Sequence, residues 1–243
     1  MEVVARIHND FPTKFGLPRQ ASLAPSLRSK IVFEPAYRVP EALRGIEEFS
    51  HIWLIWGFSE NDPARGQNLS GDASPERTVP AAPGQPARHH WSPTVRPPRL
   101  GGNVRMGVFA TRSPFRPNPV GLSCVKLEGV EKDGENGLVL VVTGADLMDG
   151  TPVYDIKPYL PGVDAHPEAT EGFVGRHAQV LLEVSLSPEL SARLSPAQLE
   201  TLREILAQDP RPAYHADPAR VYGLSYAGID IHFKVEGTFL QAW

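Results

Sequence analysis

The sequence predicts a mainly β protein, with an N-terminal antiparallel sheet or closed barrel and a small α+β domain at its C-terminal end. Short strand-like segments follow one another closely, without helical segments between them, which argues against a parallel α/β sheet. One amphipathic helical pattern and one alternating strand pattern then appear near the C-terminus. The hydrophobic share of 41% in 243 residues is near the globular norm, so the chain can form a core.

Strand-like segments dominate most of the chain. Residues 51–58 are rich in Ile and Trp and suit a buried strand, while residues 2–9 alternate only weakly. Between them, residues 39–50 predict a short helix or turn. The remaining strand candidates are 105–110, 122–130, 137–146, 153–160 and 180–186. Pro, Ala, Gly, Ser and Arg without an apolar period fill residues 61–98, which predicts a long loop or partly disordered insertion.

The chain changes character from about residue 175, where we expect the small α+β part to begin. A helix is predicted there because Ser195 can cap it, Pro196 suits its first position and Gln198 can close a capping box. We expect this helix to end before Asp209, which precedes a proline. Residues 229–236 alternate between apolar and polar side chains, which predicts a strand with one solvent-exposed face.

Composition indicates the cellular context. The single cysteine excludes an intrachain disulfide, which fits a reducing compartment. The N-terminus lacks the long apolar run of a signal peptide, and the most apolar stretch, residues 52–58, is too short to span a bilayer. We therefore expect a cytoplasmic protein that does not cross a membrane.

A basic window interrupts an otherwise acidic chain. Residues 77–126 contain eight Arg and Lys residues and no Asp or Glu, although the net charge of the whole chain is −4. A local positive field predicts an anionic partner held at this place. The alternative is a surface loop that happens to lack acidic residues.

Residues 111–121, TRSPFRPNPVG, form the most distinctive segment. Three prolines remove backbone donors and fix φ, so the segment is neither helix nor strand and is stiff before any ligand binds. The guanidinium groups of Arg112 and Arg116 suit phosphate or carboxylate, and the amide of Asn118 suits a base edge. We interpret the segment as a binding loop; the alternative is a rigid connector whose arginines pair with nearby acids.

Two further segments are candidates for a site. Residues 149–155 contain Asp-Gly and Thr-Pro, which predict a tight turn leading into a strand. Asp155 and Lys157 lie two apart on that strand and share a face, either as a surface ion pair or as a proton-handling pair. Arg19 and Gln20 follow a proline, either as ligand contacts or in an ordinary surface loop.

Several other catalytic chemistries lack their motifs in this sequence. There is no glycine fingerprint of a dinucleotide-binding turn, no phosphate loop ending in Gly-Lys-Ser/Thr and no Gly-x-Ser-x-Gly elbow. The eight histidines include no pair at zinc-site spacing, and His89 and His90 are adjacent in a loop, so we expect no metal. Cys124 lies in a predicted strand, where a buried inert thiol is favoured over a nucleophile.

Five strings of the sequence match one known family. They are KFGLPRQ (14–20), FSHIWLIWGF (49–58), SPTVRPPRLGGNVRMGVFATRSPFRPNPVGLS (92–123), DLMDGTPVYDIKPYLP (146–161) and AQDPRPAY (207–214). On these strings the chain resembles the TrmO family of tRNA methyltransferases, also called TsaA-like or YaeB-like. The resemblance covers nearly the whole chain, its Arg- and Pro-rich string is highly specific, and residues 61–90 depart from the pattern.

The resemblance implies a fold, an activity and a set of contacts. It implies a β-barrel at 1–174 that binds S-adenosylmethionine and carries a flexible insertion at 61–90, a small α+β domain at 175–243, and a homodimer. It also implies N6-methylation of N6-threonylcarbamoyladenosine next to the anticodon of threonine tRNA. The implied methyl-donor contacts are Pro18, Arg19, Gln20, Ser59, Glu60, Arg112, Leu122, Thr143, Gly144, Ala145 and Asp146.

Within this framework we assign roles to the remaining candidates. Asp155 is the expected acceptor or orienter of the N6 proton, with Lys157 tuning it, and Asn118 is a further catalytic candidate. Arg112 is expected to face the methyl donor, whereas Arg116 and Asn118 face the RNA. Further RNA contacts are expected at Arg96, Arg99 and Arg105.

Three other functions stay open from the sequence. The protein could be a basic barrel that binds RNA without catalysing a reaction, in which case it would not bind S-adenosylmethionine. A methyltransferase of the same fold could use another tRNA or a small molecule, and it would then ignore the threonylcarbamoyl group. A thiol enzyme would require Cys124.

Overall fold

The computed structural model describes residues 1–58, 92–97, 104–176, 180–212 and 217–243, and within them the protein is mainly β, as predicted. The strands are β1 (Ala5–His8), β2 (Arg28–Phe33), β3 (His51–Gly57), β4 (Thr94–Val95), β5 (Met106–Gly107), β6 (Val120–Lys132), β7 (Leu138–Thr143), β8 (Pro152–Pro158), β9 (Glu183–Leu186), β10 (Tyr222–Tyr226), β11 (Ile229–Glu236) and β12 (Phe239–Ala242). The α-helices are α1 (Pro161–Asp164), α2 (Pro188–Ser191) and α3 (Pro196–Ala207). None of the helices in these ranges combines the length and the apolar character that crossing a bilayer requires.

Six strands of the N-terminal part form one antiparallel sheet. They are hydrogen-bonded in the order β1–β2–β7–β6–β3–β8, and β8 pairs back onto β1 at Ala5 and Val153, so the pairing closes on itself. The ends of β3 and β6 lie side by side, because Trp56 pairs with Gly121. The closed order therefore brings the C-terminal ends of β3 and β7 and the N-terminal ends of β2 and β6 to the same edge of the sheet.

Side-chain alternation gives the strands of this sheet a buried and an outer face. In β3, Ile52, Leu54 and Trp56 are buried, and the residues between them face outward. The Trp56 indole lies across Gly121 of β6, and a Cβ built at that position would overlap the ring. Glycine is therefore required here by close packing and not by an unusual φ.

The C-terminal part contains a second sheet, in the order β10–β11–β12–β9, together with α2 and α3. β12 and β9 are parallel, and the other pairs are antiparallel. The predicted alternation is observed along β11, whose apolar side chains are all buried. α3 begins at Pro196 with the predicted capping box between Ser195 and Gln198, and it ends at Ala207, before Asp209.

The loop between β1 and β2, residues 9–27, belongs by its packing to the C-terminal core. Phe11, Ala24 and Leu27 are buried in the hydrophobic cluster formed by α3 and the four-stranded sheet. Phe11 lies against Tyr226, with ring centroids 4.8 Å apart. This β1–β2 loop therefore connects two strands of the first sheet while its apolar side chains stabilise the second.

Some elements differ from the sequence predictions. The patterns did not predict β2, β4, β10, β12, α1 or α2, and β4 lies within residues 61–98, which were expected to be a loop. Residues 105–110, expected to be a strand, form only the two-residue β5 followed by a 3-10 helix, Val108–Ala110. The hydroxyl of Thr111 donates to the Val108 carbonyl over 2.8 Å and closes a turn where the strand would continue. The division of the chain near residue 175 stays a prediction.

Replacing Phe11 by Ala is expected to lower the free energy of unfolding by about 3–5 kcal/mol, because the ring is fully buried in the C-terminal core. Urea unfolding measures this change. Phe109→Ala is the matched control, since that ring is 73% exposed and a loss below about 1 kcal/mol is expected. Equal losses for the two variants would show that the β1–β2 loop is not held by this core.

Candidate active site

A mostly buried carboxylate lies at the centre of the candidate site. Asp146 follows the end of β7, and its carboxylate accepts a hydrogen bond from the hydroxyl of Ser123 over 2.5 Å. The Ser123 oxygen in turn accepts from the indole Nε1 of Trp56 over 2.9 Å. One chain of hydrogen bonds therefore joins β3, β6 and the segment that follows β7.

Burial raises the pKa of Asp146 above the ordinary value of an aspartic acid. The Ser123 hydroxyl, the nearby Arg112 guanidinium and the backbone amide of Ala21 act in the opposite direction and favour the charged form. A carboxylate held in this way is a candidate functional group, because perturbed pKa values concentrate at functional sites. The contacts also bring two predicted site segments, at Arg112 and next to Gln20, to the same carboxylate.

The turn that leads from β7 to Asp146 is held by the β1–β2 loop. Gly144 has a φ of 77°, and its carbonyl accepts from the amide of Ser22 over 2.8 Å. A Cβ at Gly144 would lie 3.3 Å from the Cα of Ser22, so the two backbones approach more closely than a side chain would permit. Ser22 has a φ of 66°, a conformation that few non-glycine residues adopt.

A groove of about 450 Å³ opens beside this turn, between the β1–β2 loop and the outer faces of β3, β6 and β7. Its lining residues are Ser22, Pro25, Ser26, His51, Lys126, Glu128, Thr143 and Gly144. Most of these side chains are polar, and Lys126 donates to Glu128 over 2.8 Å. The volume lies in the range of small-molecule sites.

Residues 111–119 form an irregular loop, as predicted, and its own side chains hold it. Val120 and Gly121, which the prediction also placed in the loop, instead begin β6, because they pair with Gly57 and Trp56 of β3. Arg116 donates through Nη1 to the carbonyl of Thr111 over 3.2 Å, and its guanidinium lies 6.0 Å from the centre of the Phe109 ring. Arg116 is therefore partly engaged within its own loop. Arg112 and Asn118 are exposed, and Arg112 lies close enough to Asp146 to favour its charged form.

The other predicted RNA contacts are only partly described. Arg96 is exposed, and Arg105 donates through Nε to the hydroxyl of Thr94 over 2.8 Å, which ties β5 to β4. Outside the described residues lie Ser59, Glu60, Arg99, His89, His90 and the 61–90 insertion.

The predicted proton-handling pair lies on the outer face of β8. Lys157 Nζ is 3.0 Å from Asp155 Oδ2, and both side chains are about half exposed. Ile55 of β3 pairs with Asp155 on one side and with Leu122 of β6 on the other. Asp155 and Leu122 therefore lie on the same outer face, about 10 Å apart across two strand spacings. The catalytic role of the pair stays a prediction.

Cys124 is not fully buried, contrary to expectation, because it lies at an outward position of β6. It pairs with Trp53, whose indole donates to Asp164 over 3.0 Å. Burial, and then the charge of Asp164, raise the pKa of the thiol. A smaller thiolate fraction makes Cys124 a poorer nucleophile, which argues against a thiol enzyme.

The predicted methyl-donor residues of the β1–β2 loop have different environments. Pro18 is buried, Gln20 is partly buried and Arg19 is exposed. The guanidinium of Arg19 donates to backbone carbonyls in the turn after α3. Ala145 is fully buried, so any contact with a ligand would use its backbone.

The sequence did not identify four residues that build the site, namely Trp56, Ser123, Ala21 and Ser22. Ser123 had a signal, because it is a polar residue at a buried position of an alternating strand, where it needs a partner. Ala21 and Ser22 act through backbone amides, which carry no sequence signal. Within the described ranges, no group of three or more His, Cys, Asp or Glu residues is placed to hold a metal ion.

These features define a class: an antiparallel β protein whose candidate small-molecule site is built from loops between strands of a closed sheet. The family described as tRNA-methyltransferase O N-terminal domain matches residues 6–165, and the TrmO C-terminal domain matches residues 179–241. The chain therefore belongs to the TrmO family of tRNA methyltransferases.

Relatives and solved structures agree with this assignment. A tRNA (adenine(37)-N6)-methyltransferase of Eikenella corrodens is 54% identical over 147 residues, which are 60% of this chain and 82% of that protein. The protein of the same name from Escherichia coli K12 is 36% identical and covers 96% of this chain and 92% of its own length. A crystal structure of TrmO from Pseudomonas aeruginosa superimposes with a TM-score of 0.69 at 31% identity, covering 99% of this chain and 94% of that one.

The raised pKa of Asp146 predicts a pH-dependent effect on stability. The pKa of Asp146 is higher in the folded state than in the unfolded state. Its contribution to the free energy of unfolding is therefore fully present below the unfolded-state pKa, about 3.9, and is lost as pH rises through the folded-state pKa. The stability of the wild type relative to Asp146→Asn should therefore increase as pH falls from 8 to 4, by at most about 1.4 kcal/mol per pH unit. Urea unfolding at several pH values measures this difference.

Asp133→Asn is a control with the opposite sign. The Asn136 amide and Lys30 lower the pKa of Asp133, so its contribution is present above the unfolded pKa and is lost as pH falls through the folded value. A constant difference between wild type and Asp146→Asn across this range would contradict the burial of a titrating carboxylate.

Proposed function

We propose that the protein is an S-adenosylmethionine-dependent methyltransferase that acts on N6 of adenosine 37, next to the anticodon of a tRNA. Membership of the TrmO family across both matched regions is the observation that carries this proposal. Relatives named for this reaction are 54% and 36% identical to the chain. A Pseudomonas aeruginosa relative, 38% identical over 237 residues, carries S-adenosylmethionine dependence in its name.

The residues present fit S-adenosylmethionine, which would supply a methyl group on a positively charged sulfonium. A carboxylate withdrawn from water at Asp146 suits the positive charges of this cofactor, and Arg112 suits its carboxylate. Two of the proposed contacts, Thr143 and Gly144, also line the groove beside the turn that leads to Asp146. The residues that would hold the cofactor are Pro18, Arg19, Gln20, Arg112, Leu122, Thr143, Gly144, Ala145 and Asp146, with Ser59 and Glu60 outside the described residues.

Asp155 is the proposed acceptor of the proton that leaves N6. Its carboxylate is about half exposed on the outer face that it shares with Leu122, so a base that reaches this face can approach it. Lys157, at 3.0 Å, would orient the carboxylate. Methyl transfer requires little covalent chemistry from the protein. Positioning of the methyl donor and the adenosine should therefore contribute most of the rate enhancement.

The finer substrate is N6-threonylcarbamoyladenosine in threonine tRNA. An anticodon loop is single-stranded, so its bases can enter a rigid site without melting a duplex. The loop at residues 111–121 and the basic window around it supply phosphate attraction. Arg116 would pair with the carboxylate of the modified base, for which it would have to share or leave the Thr111 carbonyl. Asn118, Arg96, Arg99 and Arg105 are the further proposed RNA contacts.

The proposal extends to assembly. We propose that the closed six-stranded sheet is the barrel that the family resemblance implies. We also propose that the chain divides into domains at 1–174 and 175–243. The proposed assembly is a homodimer, which rests on family resemblance alone.

Transfer of a tritiated methyl group from S-adenosylmethionine to purified tRNA, followed by nucleoside analysis, tests the function. Label is expected in the threonylcarbamoylated adenosine of threonine tRNA. Transfer should fall by at least about 100-fold with tRNA that lacks the threonylcarbamoyl group, since a site built to pair with a polar group discriminates strongly against its absence.

Three outcomes separate the alternatives. Equal transfer to both tRNAs would keep the methyltransferase activity and reject the modified substrate. Label in another nucleoside would reject adenosine 37. If calorimetry shows no binding of S-adenosylmethionine while tRNA still binds, the protein is an RNA-binding module.

Asp155→Asn is expected to lower the single-turnover methylation rate by about 100-fold, because general-base catalysis typically contributes at least that factor. Its Kd for S-adenosylmethionine should not change, since the side chain lies about two strands from Leu122. Asp164→Asn is the matched control, because Asp164 only accepts hydrogen bonds from Trp53 and Leu160, and a change within about twofold is expected. An unchanged rate for Asp155→Asn would reject its role.

A further inference from the structure

The turn that follows α3, residues 208–211, contacts the β1–β2 loop, although the two segments lie far apart in the sequence. Arg19 donates through Nη2 to the carbonyl oxygens of Asp209 and Arg211 over 3.2 and 3.1 Å. The partners are 190 and 192 residues apart. Such contacts do not arise from local chain geometry, so they determine where the loop lies relative to the C-terminal sheet.

A second contact lies a few residues further along the loop. Gln208 donates through Nε2 to the carbonyl of Leu23 over 3.3 Å. Between the two contacts, the amide of Ser22 donates to the carbonyl of Gly144, in the turn that leads from β7 to Asp146. The loop is thus held by the turn after α3 on one side and holds the turn before Asp146 on the other.

The turn itself is built to keep one shape. The Asp209 carboxylate accepts from Nε and Nη2 of Arg211, each over 2.8 Å, and also from the Arg211 amide over 3.3 Å. Both side chains are mostly buried, at 33% and 15% exposed, so this bidentate pair is shielded from solvent more than a surface pair. Asp209 has a φ of 51°, a strained conformation that its surroundings must enforce.

We propose that Asp209 and Arg211 are positioning residues for the methyl-donor site. The pair fixes the two carbonyls that hold Arg19, and Arg19 fixes the segment whose Ser22 amide holds Gly144, two residues before Asp146. The C-terminal part therefore acts on methyl-donor affinity as well as on any contact with RNA. This inference rests on the proposed function, because it identifies the ligand of the positioned site as S-adenosylmethionine.

An RNA contact through Arg211 is the other role that this turn suggests, and the geometry favours positioning over it. Two nitrogens of the Arg211 guanidinium already donate to Asp209. Asp209 occupies one bidentate edge of the guanidinium, formed by Nε and Nη2, and the Arg211 side chain is only 15% exposed, so its remaining donors are largely shielded from a phosphate. The carbonyls of the turn are likewise occupied by Arg19.

Asp209→Asn tests the proposal in the full-length protein. Asparagine tolerates the left-handed conformation and keeps one acceptor, but it loses the second charge-assisted bond. Calorimetry without tRNA should show the Kd for S-adenosylmethionine rising about tenfold, the effect of one charge-assisted hydrogen bond. The KM for S-adenosylmethionine should rise with it, while kcat and the KM for tRNA change by less than about twofold.

Hydrogen exchange without any ligand supplies a second measurement. The amide of Ser22, which donates to Gly144, should exchange faster in Asp209→Asn than in the wild type, because the loop is no longer fixed from the C-terminal side. Arg211→Lys should reproduce both effects, since lysine keeps the charge but cannot make the bidentate pair. Asp217→Asn is the matched control, because Asp217 caps only the nearby amide of Ala219, and both measurements should stay at wild-type values.

Three results would overturn the positioning role. The first is an unchanged Kd with unchanged exchange in both variants. The second is a rise confined to the KM for tRNA, which would make the turn an RNA contact. The third is a loss of thermal stability in Asp209→Asn that Arg211→Lys does not share, with Kd unchanged in Arg211→Lys. Failure of the wild type to bind S-adenosylmethionine would instead reject the proposed function, and hydrogen exchange would then decide the positioning by itself.

Discussion

Folding removes the Asp146 carboxylate from water. Its need for hydrogen-bond donors determines how the candidate site is built. A buried carboxylate without partners costs several kcal/mol, so the fold has to bring donors to Asp146. The donor is the Ser123 hydroxyl of β6, and the nearby Arg112 guanidinium also favours the charged form. Trp56 completes the chain by donating to Ser123, and Gly121 makes room for its ring. The β1–β2 loop is fixed beside this carboxylate by the Ser22 amide, which donates to the carbonyl of Gly144.

That requirement also explains why the β1–β2 loop is anchored on the second sheet. A loop that presents a backbone amide has to be held in place by its other residues, and in this chain Phe11, Ala24 and Leu27 are buried in the C-terminal core. Ser26 adds polar contacts to α3, since its hydroxyl donates to Glu204 over 2.5 Å. The C-terminal sheet thus stabilises the site from outside it. A sheet that served only to bind RNA would not need to share a core with this loop.

The sequence predicted those features that depend on local patterns. The capping box of α3 and the alternation of β11 were predicted correctly because each depends on residues only a few positions apart in the sequence. The stiffness of residues 111–121 was likewise readable from three prolines. The closed strand order and the packing of residues 9–27 were not, because they depend on contacts between distant segments. Cys124 shows the same limit: its strand was predicted, but the face on which it lies depends on register.

Backbone strain indicates where this rigidity is concentrated. Among the described residues, the non-glycine positions with positive φ are Ser22, Asp209 and Ala227. Each one contacts or belongs to the β1–β2 loop: Ser22 lies in it, Asp209 accepts from Arg19, and the Ala227 amide donates to the Asp10 carbonyl over 2.9 Å. Strain of this kind persists only where surrounding contacts enforce it, and it concentrates at functional sites. Because folding has already ordered this loop, the loop loses little conformational entropy when a ligand binds. The strain in two turns of the C-terminal part is then part of the cost of holding the β1–β2 loop against the turn that leads to Asp146.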